Sequence, residues 1–153
     1  MPRSLLACFC FVLVLSTAST ALAIKLNGTP GPDTLVGTNQ ADRLNGRGGD
    51  DVLRGRAGDD RLFGGAGNDR LIGGQGNDQL AGGPGDDLLA GDAGNDRLVG
   101  GPGADTLLGG AGNDTILARD GYIDTIVCGK GNDHVIADPG DHVARDCEHV
   151  KRA

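Results

Sequence analysis

A nine-residue repeat fills most of the chain and constrains its fold more than any other feature. From Gly46 to Leu117 the sequence reads GRGGDDVLR, GRAGDDRLF, GGAGNDRLI, GGQGNDQLA, GGPGDDLLA, GDAGNDRLV, GGPGADTLL and GGAGNDTIL. Two looser copies, GTPGPDTLV and GTNQADRLN, precede this stretch from Gly28. A fixed period of this kind predicts a solenoid, in which each repeat buries its apolar face against neighbouring repeats.

Each copy divides into a turn-forming part and a strand-forming part. The first six residues are rich in glycine, which adopts positive φ easily, and the Asn at position five also tolerates the left-handed region. The last three residues, such as Arg70, Leu71 and Ile72, are strand-like. Two repeats therefore make one coil of about 18 residues, and successive coils stack as two parallel sheets. The inward eighth position is always aliphatic: Leu35, Leu44, Leu53, Leu62, Leu71, Leu80, Leu89, Leu98, Leu107 and Ile116.

An aspartate stands at position six of every copy: Asp33, Asp42, Asp51, Asp60, Asp69, Asp78, Asp87, Asp96, Asp105 and Asp114. In stacked coils the turns of alternate repeats lie about 4.8 Å apart, so these carboxylates repel one another unless a cation lies between them. The core is also thin, because one buried aliphatic side chain per nine residues contributes less than ordering those residues costs. Carboxylate and carbonyl oxygens in a flexible turn favour calcium over magnesium or a transition metal.

These residues carry a resemblance to a known family. GGAGNDRLI and its copies resemble the calcium-binding nonapeptide G-G-x-G-x-D-x-U-x of the RTX, or hemolysin-type, repeat proteins, where U is aliphatic. The resemblance extends from Gly28 to Ile136 and implies an all-β, right-handed parallel β-roll with calcium between stacked turns. It implies that aspartate side chains and turn carbonyls bind the metal, with these residues as ligands: Asp51, Asp60, Asp69, Asp78, Asp87, Asp96, Asp105, Asp114, Gly49, Gly58, Gly65, Gly67, Gly74, Gly76, Gly83, Gly85, Gly94, Gly101, Gly103 and Gly112.

The number of calcium ions follows from the number of stacked turns. Two stacks of five turns leave eight gaps, so we expect about six to eight ions. The first two turns depart from the pattern, since Pro30 and Pro32 stiffen one and Gln40 replaces a glycine in the other. We expect these two turns to bind calcium poorly and to cap the N-terminal end of the roll.

The N-terminal segment has the anatomy of a secretory signal peptide. Arg3 is followed by an apolar run and by the small-residue motif Ala21-Leu22-Ala23, which predicts cleavage after residue 23 and secretion of the remainder. The apolar run is too short for the roughly 20 residues of a membrane-spanning helix. A lipid-modified Cys8 is a second alternative, but it would leave little apolar helix before the cysteine. Loss of the segment leaves 13 basic and 21 acidic residues, a net charge of −8.

The C-terminal segment breaks the repeat and contains the two cysteines that would remain after cleavage. In an oxidising setting Cys128 and Cys147 are expected to pair and to pin a cap. A metal site that uses these cysteines with His134, His142 and His149 is the alternative, although the spacing matches no standard zinc motif. We therefore divide the chain into a signal peptide (1–23), β-roll repeats (24–136) and a cap (137–153).

Composition and motifs exclude several functions and leave one alternative open. The acidic net charge disfavours nucleic acid as a partner, and no membrane-inserting segment follows Ala23. Neither of the catalytic motifs HExxH and GxSxG is present, so we expect no enzyme. Position three carries no repeated hydroxyl or amide, which disfavours ice binding. The leading hypothesis is a secreted protein whose folding depends on calcium. The alternative is calcium-dependent adhesion, in which Arg43, Arg61 and Arg97 contact an acidic extracellular polysaccharide rather than only balancing neighbouring acids.

Overall fold

Two parallel β-sheets make up the fold. A computed structural model describes residues 22–152, and these residues form fifteen strands and no helix. One sheet holds β1 (Lys25–Asn27), β3 (Arg43–Gly48), β5 (Arg61–Ala66), β7 (Gln79–Ala81), β9 (Arg97–Val99), β11 (Thr115–Ala118), β13 (His134–Ala137) and β15 (His149–Arg152). The other holds β2 (Thr34–Val36), β4 (Val52–Ala57), β6 (Arg70–Gln75), β8 (Leu88–Ala93), β10 (Thr106–Ala111), β12 (Thr125–Lys130) and β14 (His142–Val143). Most of the predicted signal peptide, residues 1–21, lies outside the described residues.

The chain alternates between the two sheets, so that each strand pairs with the strand two places further along the sequence. Leu44 of β3 aligns with Leu62 of β5, and Leu53 of β4 aligns with Leu71 of β6. Each coil therefore consists of two nonapeptides, as the repeat predicts. The prediction of an all-β parallel β-roll is confirmed.

The core is a double row of aliphatic side chains between the sheets. The eighth-position residues from Leu44 to Ile116 are buried, and Ile126 and Val135 continue the rows toward the C-terminus. Within a typical strand such as Arg70–Gln75, the leucine is buried while the preceding arginine is exposed. Each sheet therefore contributes one row of buried aliphatic side chains, and the predicted inward position is confirmed.

Several strands are longer than the predicted three residues. β3, β4, β5, β6, β8, β10 and β12 each continue through the first three positions of the next repeat. In this extension Arg47 aligns with Gly65, and Gly48 aligns with Ala66. The glycine-rich segment therefore keeps its pairing with the coil above, and the turn proper is confined to positions four to six.

Positive φ angles occur at positions two and four of the repeat. Position two includes three non-glycine residues, Arg47 at 84°, Arg56 at 89° and Asp92 at 73°. None of the described residues at position five has positive φ, so the tolerance of Asn for the left-handed region is not used there. The Asn and Asp side chains at position five have a different role, described below.

The arginine at position 56 is expected to strain the backbone. Replacing Arg56 with glycine should stabilise the protein by about 1 kcal/mol, because glycine adopts a φ of 89° without a Cβ penalty. Arg54 is the matched control, since it lies at an exposed position in the same strand and shows no positive φ. Arg54→Gly should destabilise by about 0.5–1 kcal/mol. Chemical unfolding in saturating calcium measures both, and equal effects of the two substitutions would contradict this reading of position two.

The C-terminal segment extends both sheets. β14 pairs with β12, and β15 pairs with β13. Cys128 and Cys147 form a disulfide, with Cα atoms 5.1 Å apart, so the predicted pairing is confirmed and these sulfurs are not free to bind a metal. His134 and His149 stack on neighbouring strands, with ring centroids 4.8 Å apart. The boundary between repeats and cap at residue 137 stays a prediction.

Candidate metal centre

The aspartates at position six form two buried rows, one along each edge of the roll. The structure brings all eight predicted aspartate ligands into these rows, and each is at most 3% exposed. One row contains Asp51, Asp69, Asp87 and Asp105, and the other contains Asp60, Asp78, Asp96 and Asp114. Charged groups are rarely buried to this extent without a partner, so the rows need a source of positive charge.

One oxygen of each carboxylate holds the coils together. Oδ1 of Asp78 accepts a hydrogen bond from the backbone N–H of Asp60 at 2.7 Å, and Oδ1 of Asp96 accepts one from Asp78 at 2.7 Å. The same bond links every successive pair along both rows. Each side chain therefore reaches back to the coil that lies 18 residues earlier.

The second oxygen of each carboxylate is buried and has no hydrogen-bond partner among residues 22–152. This is true of Oδ2 of Asp51, Asp60, Asp69, Asp78, Asp87, Asp96, Asp105, Asp114, Asp124 and Asp133. An unpaired buried oxygen of an ionised group is costly, and ten in two regular rows are far outside what a folded protein tolerates without a ligand.

Burial alters the ionisation of these carboxyls. Burial raises the pKa of Asp51, Asp60, Asp78 and Asp105 to about 6. The hydrogen bond from a backbone N–H lowers each pKa, but by less than burial raises it. Burial raises the pKa of Asp87, Asp96 and Asp124 to about 7, and repulsion from neighbouring carboxylates adds to the effect. The pKa values of Asp69 and Asp114 are also raised by burial. Without a cation the charged rows are therefore unfavourable at neutral pH.

The glycines at positions two and four bring backbone carbonyls into the stack. All twelve glycines predicted as ligands have positive φ. A Cβ added to Gly83 would collide with the carbonyl oxygen of Gly65, and one added to Gly85 would collide with that of Gly67. The carbonyl oxygens of these positions thus lie between successive turns, on the edges where the aspartates stand.

The donor set fits a hard divalent cation. Each gap between stacked turns presents carboxylate oxygens and backbone carbonyl oxygens, with no nitrogen or sulfur from the repeats. Calcium accepts six to eight such ligands in flexible geometry, whereas magnesium demands a tight octahedron. The unpaired Oδ2 atoms are the observation that calls for such an ion.

A comparison with protein families agrees with this geometry. The RTX calcium-binding nonapeptide repeat (4 copies) matches residues 27–62, 46–80, 54–89, 81–116 and 119–141. The chain belongs to the RTX calcium-binding nonapeptide repeat family. No curated protein matches the chain. Within residues 22–152, no helix is long and apolar enough to cross a membrane.

The two aspartate rows continue into the C-terminal segment through acidic residues that the repeat pattern did not predict as ligands. Oδ1 of Asp124 accepts the N–H of Asp105, and Oδ1 of Asp133 accepts that of Asp114. Beyond them, Asp141 accepts the N–H of Asp124 at 3.1 Å. The other row ends on Glu148, whose Oε2 accepts the N–H of Asp133 at 3.1 Å. The spacing changes from 18 residues to 19, then 17 and 15, which hid these last acids from a strict nine-residue register.

A second ladder of side chains runs along the turns at position five. Oδ1 of Asn77 accepts the backbone N–H of Asn95 at 2.8 Å, and Oδ1 of Asn95 accepts that of Asn113 at 2.7 Å. Asp50, Asp59, Asn68 and Asp86 make the same bond to the coil above. This exposed ladder reaches forward along the chain, whereas the buried aspartates reach back. It explains why Asn or Asp recurs at position five.

Proposed function

We propose that this protein is a secreted calcium-binding β-roll whose folded state depends on several calcium ions between its stacked turns. The buried, unpaired Oδ2 atoms of the RTX turns support this most strongly. A cation between two of them would satisfy both oxygens and offset the burial and the repulsion that raise their pKa values. Membership of the RTX family supports calcium as the ion.

The residues of the regular turns supply the ligands in this proposal. The position-six aspartates from Asp51 to Asp114 provide Oδ2, and the glycines at positions two and four provide carbonyl oxygens. Oδ1 already binds a backbone N–H of the preceding coil and orients each carboxylate. The expected number remains about six to eight ions.

Dependence on calcium would make folding a consequence of export. At low free calcium the aspartate rows repel and the thin leucine core does not hold the coils together. At high free calcium each site adds stability as RT ln(1 + [L]/Kd), about 2.7 kcal/mol when calcium exceeds the dissociation constant a hundredfold. The predicted signal peptide would place the chain where calcium is abundant.

A single substitution tests the role of Oδ2. Asp78→Asn keeps an Oδ1 acceptor for the N–H of Asp60 but removes the charge and replaces the second oxygen with NH₂. We expect the calcium stoichiometry to fall by about one or two ions and the unfolding midpoint in calcium to drop by several degrees. Isothermal titration calorimetry and thermal unfolding measure the two effects.

Asp86→Asn is the matched control for Asp78→Asn. Asp86 is an exposed position-five residue whose Oδ1 accepts the N–H of Ala104, and asparagine occupies the same position in other repeats. This variant should leave both the stoichiometry and the midpoint near those of the unsubstituted protein. If Asp78→Asn behaved in the same way, Oδ2 would not be a calcium ligand.

An acidic polysaccharide is a second candidate partner, supported by a row of arginines at the same position on neighbouring strands. Arg43, Arg61 and Arg97 occupy the same register on β3, β5 and β9, with Gln79 between the last two. The Arg43 guanidinium also lies over the Phe63 ring, 4.9 Å from its centroid. Glycan-array binding in calcium should detect the ligand, and Arg61→Ala with Arg97→Ala should abolish the signal. Unchanged binding by the double variant would rule out this surface.

A further inference from the structure

One turn of the roll differs from the others in length and charge. The stretch from Ala118 to Asp124 holds one residue more than a regular turn, so Asp105 and Asp124 are separated by 19 residues. This turn places Asp120 beside the buried row. One carboxylate oxygen from each of Asp105, Asp120 and Asp124 lies within 4.8 Å of the others.

Asp120 occupies a place that a neutral oxygen fills elsewhere. In regular turns the N–H at position four donates to the position-three carbonyl of the coil above, as Gly67 does to Pro84 and Gly85 to Pro102. In the longer turn the equivalent N–H of Gly103 donates to Oδ2 of Asp120 at 3.1 Å. A charged oxygen therefore replaces a neutral one next to the buried row.

The two aspartates beside Asp120 each have an oxygen available for a ligand. Asp105 is 2% exposed and Asp124 is fully buried, and Oδ2 of each lacks a hydrogen-bond partner among the described residues. In the part of the chain that the structure describes, no basic side chain donates to the Asp120 carboxylate, so the added charge is not compensated. Three carboxylates this close demand a cation more strongly than two do.

Within the folded roll, the longer turn is held in position by hydrogen bonds that involve no ion. Oδ2 of Asp138 accepts the N–H groups of Asp120 and Gly121, at 2.9 and 2.7 Å. Oδ1 of Asp120 accepts the N–H of Tyr122 at 2.8 Å, which fixes the carboxylate. A preorganised ligand costs less ordering on binding, and affinity for calcium rises with the number of charged ligands.

We propose that Asp105, Asp120 and Asp124 form a calcium site of higher affinity than the nonapeptide gaps, and that it fills before them. The proposal rests on the calcium-binding function proposed above and adds an order of occupancy to it. Asp120 is a ligand of this site alone, outside the repeat pattern.

Tyr122 allows this site to be observed by itself. It is the single tyrosine of a chain that has no tryptophan, and its backbone N–H donates to Asp120. Terbium has the size and oxygen preference of calcium, and a nearby phenol sensitises its luminescence over short distances. Terbium titration of the full protein therefore reports mainly on the site beside Tyr122, while calorimetry reports on all sites together.

We expect sensitised emission to saturate with about the first equivalent of terbium and to be displaced by calcium. Asp120→Asn, which keeps one oxygen acceptor, should raise the terbium concentration at half-saturation roughly tenfold. Asp59→Asn is the control, since Asp59 is an exposed position-five residue on the other edge, and its curve should superimpose on that of the unsubstituted protein.

Two results would overturn the proposal. One is terbium emission from the unsubstituted protein that does not saturate at about one equivalent but rises in proportion to the filling of all sites. This measurement needs no variant. The other is an Asp120→Asn curve equal to the unsubstituted one. In either case a calorimetric calcium stoichiometry of six to eight would leave the proposed function intact, whereas no calcium heat and no terbium emission would overturn both.

Discussion

Replacing Gly76 with alanine is expected to disrupt the roll in its centre, at a cost of about 3 kcal/mol or more. Gly76 has a φ of 124°, a conformation that side chains rarely adopt. An added Cβ would also collide with the carbonyl oxygen of Gly58 in the coil below. The turn would have to move away from its neighbour, which would open the gap that we assign to calcium.

Gly31→Ala is the matched control for Gly76→Ala, because Gly31 holds the same position of the repeat in the first turn. Its φ is not positive, and an added Cβ would meet only Oγ1 of Thr29, at 4.0 Å. We expect the free energy of unfolding of this variant to lie within about 0.5 kcal/mol of that of the unsubstituted protein. Chemical unfolding in saturating calcium measures both variants, and similar free energies of unfolding would contradict the tight stacking at position four.

Acidification is expected to stabilise the calcium-free protein. The buried position-six aspartates have folded-state pKa values raised from 3.8 to about 6 or 7, as for Asp78 and Asp87. Between pH 3.8 and about pH 7 the folded state therefore binds more protons than the unfolded state. Stability from this source is fully present below pH 3.8 and is lost as pH rises through 6 to 7. A full proton difference changes the free energy of unfolding by about 1.4 kcal/mol per pH unit.

The opposite trend is expected in saturating calcium, because protons then compete with the ion for the carboxylates. The folded fractions with and without calcium, measured by circular dichroism from pH 8 to pH 5, should therefore converge as pH falls. Asp87→Asn combined with Asp96→Asn removes two groups with pKa values near 7 and should flatten the calcium-free curve. A calcium-free folded fraction that falls on acidification would show that these carboxyls are not the destabilising groups.

The sequence predicted the architecture well because the repeat determines it directly. A fixed nine-residue period with Leu at position eight can bury its aliphatic residues only if coils of two repeats stack. The alignment of Leu53 with Leu71 follows from that period, and so does the proximity of Asp60 to Asp78. Both features depend on the register between stacked strands, which follows directly from the nine-residue period.

The features that the sequence did not predict arise where a side chain substitutes for a backbone group or where the register changes. Asn95 at position five bonds to the coil above, an arrangement that only the stacked structure reveals. Asp141 and Glu148 continue the rows at irregular spacing. Asp120 enters the site through a one-residue insertion. The extra residue was visible in the sequence, but its effect on side-chain direction was not.

The most direct test of the account is the far-ultraviolet circular dichroism of the purified protein, recorded first in a calcium chelator and then in millimolar calcium at pH 7.5. We predict a largely unfolded spectrum in chelator, because the buried carboxylates are ionised and unpaired there. Calcium should convert it to a β-sheet spectrum, with a cooperative thermal transition. The same folded spectrum and the same unfolding midpoint in both conditions would contradict the claim that calcium between the turns stabilises the roll.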